Sequence, residues 1–64
     1  MFNEAKERTV LQMLADGLEI AEICQALDMS PGKYYYFLAL LRARHNAKNA
    51  AHLVAIGLRK KLIQ

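Results

Sequence analysis

Apolar residues recur every three to four positions along this chain, between short polar breaks, and that rhythm predicts four helices. Val10, Leu11, Leu14 and Leu18 make the first stripe, with Met13 at its edge. Asn3 stands where a side-chain oxygen caps the helix start, and Glu4 and Glu7 meet the positive end of the backbone dipole. Asp16-Gly17 ends this helix, since glycine accepts the left-handed backbone of a helix terminus. A second helix over residues 20–27 places Ile20, Ile23, Cys24 and Leu27 on one face. Asp28 then sits in a turn, where Asp and Asn tolerate positive φ better than other residues with side chains.

Ser30 caps a third helix, and Pro31 fits its first turn because the missing N–H had no partner there. This helix is predicted to reach Arg44 or His45, with Tyr34, Leu38 and Leu41 turned inward. Asn49 caps a fourth helix over residues 50–61, with Leu53, Val54 and Gly57 inward and Lys60 and Lys61 at its negative end. No strand alternation, repeat or low-complexity tract interrupts the pattern. The expectation is one all-α domain over residues 1–64, with the segment Leu18 to Leu41 forming a helix-turn-helix unit. The second helix of such a unit can enter a DNA major groove.

Sixty-four residues bury a thin core, because so short a chain hides only about 60% of the surface it exposes when unfolded. A docking surface fits this size better than a lidded catalytic cleft. At 55% hydrophobic, the chain carries more apolar side chains than such a core can hold, which points to an oligomer or partner interface. Charge is divided sharply. Residues 1–32 hold all six carboxylates against Lys6 and Arg8, a balance of −4; residues 33–64 hold seven cations and no acid, a balance of +7. The second half therefore presents a purely positive field, the electrostatic footprint of a nucleic-acid binder.

Cys24 is the only cysteine, so no internal disulfide forms, and a reducing, cytoplasmic setting is expected. No leader-like apolar run follows MFNEAKER, and no apolar stretch approaches the roughly 18 residues of a membrane span. His45 and His52 lie seven apart without Cys, Asp or Glu beside them, so neither a metal nor another cofactor is expected. Without a nucleophile–base set, paired carboxylates or a Gly-rich phosphate loop, an enzyme reading lacks residues to carry it.

Several pieces of the chain, in order, carry a resemblance: Glu7-x-x-Val10-Leu11-x-x-Leu14-Ala15-x-Gly17, Glu22-Ile23-x-x-x-Leu27 and Met29-Ser30-Pro31-Gly32. Leu38 and Leu41 follow, then Lys48-Asn49-x-x-His52-x-Val54-Ala55 and Leu62-Ile63. Together these resemble the LuxR-type (GerE-like) helix-turn-helix domain of bacterial transcription regulators, over nearly the whole chain without gaps. The tail from Asn49 looks most like the quorum-sensing branch. The resemblance implies that the third helix reads DNA and the fourth makes a dimer. The family typically has Thr-Val-Lys-x-His where this chain has Lys33-Tyr34-Tyr35-Tyr36-Phe37. Its basic base-reading position falls on Tyr35, a second on Ala39, and its phosphate-binding lysine on Ala43. Where the family ends this helix with leucine, the chain has His45, predicting a looser helix end.

The residues expected to bind DNA are Ser30, Lys33, Tyr35, Tyr36, Arg42, Arg44 and Lys48. Lys33, Arg42, Arg44 and Lys48 are candidate phosphate contacts. Four consecutive aromatics span about 400° of helical arc and cannot all be buried, so Tyr34 is assigned to the core and Tyr35 and Tyr36 to the outside. A tyrosine there can bond a phosphate or pack on a thymine methyl, and it can equally serve a protein interface. His52, Ala55, Ile56 and Arg59 recur as one stripe of the fourth helix and are the expected dimer or partner contact.

Two functions follow. The first is a stand-alone, dimeric DNA-binding regulator of the LuxR type. The second is a protein-interaction module that antagonises a LuxR-type regulator through mixed dimers, motivated by the missing basic residues at positions 35, 39 and 43.

Overall fold

The computed structural model describes residues 4–64, all helix and turn, with no strand among them. The helices are α1 (Glu4–Ala15), α2 (Ile20–Ala26), α3 (Pro31–His45) and α4 (Ala50–Arg59). The expected Asn3 cap lies outside the described residues. The other predicted caps form: Ser30 Oγ accepts the Lys33 N–H at 3.2 Å, and Asn49 Oδ1 accepts the His52 N–H at 2.8 Å. Glu22 adds a cap that the pattern did not suggest, accepting the Glu19 N–H at 2.8 Å. Each bond satisfies an amide that a helix start leaves unpaired.

All four helices close by the same device. Gly17, Asp28, Asn46 and Lys61 adopt positive φ, of 86°, 51°, 55° and 59°. The next residue in each case sends its N–H back to a carbonyl five positions earlier: Leu18 to Met13, Met29 to Cys24, Ala47 to Arg42 and Leu62 to Gly57, at 2.8–3.1 Å. This is the Schellman closure, and its usual apolar contact is present, because Leu18, Met29, Ala47 and Leu62 all pack against the buried clusters. The same closure shortens two helices relative to expectation. Leu27 becomes the cap of α2, and Lys60 and Lys61 form the turn after α4.

Two buried clusters hold the helices together. Val10, Ile23, Cys24 and Tyr34 join α1, α2 and α3; Leu11, Leu41, Leu53 and Ile63 join α1, α3, α4 and the tail. Phe37 and Leu38 pack against both. Ile20, expected on the inner face of α2, is instead 37% exposed, and its neighbours Ala21 and Glu22 in the first turn of that helix are exposed too. Gly57 lets α4 approach closely: a Cβ there would lie 3.3 Å from Ile63 Cδ1 and 3.5 Å from Leu11 Cδ1.

Burial raises the Tyr34 hydroxyl above its ordinary value of 10, with Tyr35 and Cys24 adding to the effect. The folded domain thus keeps this proton at pH values where the unfolded chain has released it. Stability is expected to fall as pH climbs past about 10 and to keep falling until the folded tyrosine ionises. Denaturant unfolding between about pH 9 and pH 11 checks this, with Tyr34→Phe expected to flatten the decline. An equal decline in both proteins would refute it.

Candidate nucleic-acid interface

The turn between α2 and α3 rests on Asp28 in the left-handed region, which aims the chain into the Ser30 cap and Pro31. From there α3 is anchored along one side by Tyr34 and Leu41, 1% and 0% exposed. Successive residues turn by about 100°, so the direction opposite these anchors carries Gly32, Tyr36, Ala39 and Ala43. Tyr35 and Arg42 lie on one flank of that strip, and Lys33, Leu40 and Arg44 on the other. All nine are exposed, and none is acidic. Tyr35 and Tyr36 are 54% and 68% exposed, and the Tyr35 ring meets Tyr34 edge-on, 5.4 Å between centroids at 77°.

The cations on this face differ in their attachments. Arg42 Nη2 donates to the Lys48 carbonyl at 2.5 Å, which braces the guanidinium against the loop entering α4. Arg44 lies 3.6 Å from Glu4 Oε1 in a solvent-exposed pair, an arrangement worth about 0–1 kcal/mol and readily exchanged. Among the described residues, no carboxylate lies within ion-pair distance of Lys33, Arg42 or Lys48. Ser30 is exposed, but its hydroxyl oxygen already holds the start of α3, so its first role here is to set that helix in place.

The end of α3 reverses an expectation. His45 does not loosen it. His45 Nε2 meets Glu7 Oε1 at 2.6 Å, with side chains only 9% and 5% exposed, and Lys60 Nζ lies 3.4 Å from His45 Nδ1. An imidazole that donates from Nε2 to the carboxylate and accepts at Nδ1 from the ammonium links α1, α3 and the end of α4. Glu7 is therefore a buried partner as well as a first-turn acid, and its distance in sequence from His45 hid this from the local pattern.

On α4, His52, Ala55 and Ile56 are half-buried and Arg59 is exposed. The His52 ring is engaged at the helix start, where Nδ1 accepts the Lys48 N–H at 3.0 Å. Leu58, outside the expected stripe, is 47% exposed and adds apolar surface to this helix. Leu40, 41% exposed, is a second apolar surface residue that the sequence reading passed over. Its signal was available in its position four residues after Tyr36. Among the described residues, no helix is long and apolar enough to cross a membrane, and no group of three or more His, Cys, Asp or Glu side chains could hold a metal ion. No family model matches the chain, and neither a curated protein nor a solved structure matches it.

Proposed function

We propose that the chain is a sequence-specific DNA-binding transcription regulator of the LuxR type, acting as a homodimer in the bacterial cytoplasm. One observation carries the reading: α3 projects an acid-free face with cations on both flanks. A helix of about 10–12 Å diameter fits a major groove about 12 Å wide, and flanking cations can then reach the phosphates of both strands. Lys33, Arg42, Arg44 and Lys48 are the phosphate contacts in this arrangement, Tyr35 and Tyr36 face the bases or the backbone, and Ser30 fixes the entry of the helix. Pairing through His52, Ala55, Ile56 and Arg59 of α4 would present two such helices to two half-sites.

Titration with duplex DNA at two salt concentrations tests the proposal. About four phosphate contacts per protomer predict a salt slope near −3.6, or roughly a hundredfold weaker binding at 200 mM than at 50 mM salt, and a steeper loss for a dimer. Weak binding that is unchanged between the two salts would reject it. A second reading, an antagonist that forms mixed dimers with a LuxR-type regulator, draws on exposed Tyr35, Tyr36, Leu40 and Leu58. Combining Tyr35→Ala with Arg42→Ala separates the two: DNA binding suffers under the first, and partner capture through α4 survives under the second.

A further inference from the structure

The outermost strip of α3 lacks the side chains that read bases through paired hydrogen bonds. Arg, Lys, Asn and Gln make such contacts to guanine or adenine, and none of them stands at Gly32, Tyr36, Ala39 or Ala43. The cations lie to either side, at angles suited to the groove walls. What the strip offers is methyl groups, the Tyr36 ring and the adjoining Leu40 side chain, all exposed. Nothing lies within 4 Å of a Cβ built at Gly32, so the start of the helix is open to close approach.

The floor of the major groove has one apolar feature, the C5-methyl of thymine, which Ala and aromatic side chains contact. We infer that the Tyr36, Ala39, Leu40 and Ala43 face of α3 recognises pyrimidine 5-methyl groups, so that the DNA this domain selects is rich in A·T pairs. The inference rests on the DNA-binding reading above and names its class of target. Its occupant follows from charge complementarity, since the apolar strip is framed by cations and bears no acid. From Tyr36 to Ala43 the helix rises about 10 Å, which matches about three base-pair steps. Tyr35 lies on the flank with Arg42, where its hydroxyl suits the backbone.

The test uses the full chain and three duplexes of equal length and phosphate charge. One is alternating A·T, one is the same sequence with uracil for thymine, and one is alternating G·C. Fluorescence anisotropy is expected to give about tenfold weaker binding to the uracil duplex than to its thymine parent, the loss that follows from uncovering about two methyl groups per protomer. Replacing cytosine by 5-methylcytosine in the G·C duplex is expected to raise its affinity, which ties the effect to the methyl group itself. Exposed Leu40→Gln is expected to shrink the thymine-to-uracil ratio toward one while salt-sensitive binding persists.

Equal, salt-sensitive binding to all the duplexes would overturn methyl recognition and leave the DNA-binding function standing. No binding to any duplex would overturn both. If the chain then sediments as a dimer that Leu40→Glu disperses, the occupant of this face is a second copy of the chain.

Discussion

His45→Leu is expected to destabilise the domain by about 3–5 kcal/mol, although it places an apolar side chain at an almost buried position. The cost comes from the partner left behind. Glu7 is 4% exposed and its Oε1 would lose its 2.6 Å contact to the imidazole, leaving a carboxylate desolvated without a donor. Adding Glu7→Leu removes that charge. The double variant is expected to regain most of the lost stability, because apolar groups of similar volume replace a buried polar pair at little cost. Urea unfolding of the wild type, both single variants and the double variant measures the coupling directly. A domain of this length holds about 3–10 kcal/mol in total, so the single variant would be substantially unfolded at moderate temperature. A single substitution costing under about 1 kcal/mol would show that the pair is open to water and structurally idle.

Tyr34→Ala is the second large effect, at about 3–5 kcal/mol, the range for removing a buried aromatic ring. Tyr34 is 1% exposed and fills the cluster with Val10, Ile23 and Cys24, so its ring sets how α2 and α3 lie against each other. Under the proposed function, the loss is expected to abolish duplex binding without removing any group assigned to the DNA-facing side. Tyr36→Ala, two positions along and 68% exposed, is expected to change stability by no more than about 0.5 kcal/mol while weakening binding. Thermal unfolding of both variants beside a DNA titration separates support from contact. Equal stability losses for the two would contradict the assignment of inner and outer tyrosines.

The helices and most of their ends were legible because their determinants are local. Ser30, Asn49, Gly17 and Asp28 each act within a few residues of themselves, and each does in the structure what its chemistry predicts. The inward set of α3 was also legible, since Tyr34 and Leu41 lie seven positions, two helical turns, apart. The failures concern distant partners. Glu7 and His45 are 38 positions apart, and nothing in either neighbourhood marks them as a pair. Ile63 reads as a tail residue until Gly57 and Leu11 are seen beneath it. In the candidate interface, helical spacing separated the outward Tyr35 and Tyr36 from the inward Tyr34. Leu40 was legible from its place four residues after the outward Tyr36, whereas Leu58 lies off the expected stripe of α4 and carries no such mark.

The Gln12 side chain grips Gln64 twice, donating to its carbonyl at 2.8 Å and accepting its N–H at 2.9 Å. Beside this grip, Ile63 is 5% exposed against Gly57 and Leu11. The two clusters therefore become available at different moments of synthesis. Val10, Ile23, Cys24 and Tyr34 have all been made once residue 34 is added, whereas the cluster around Leu11 waits for residue 63. The α2–turn–α3 pair is thus synthesised before the buttress that steadies it, and the clasp between positions 12 and 64 comes later still.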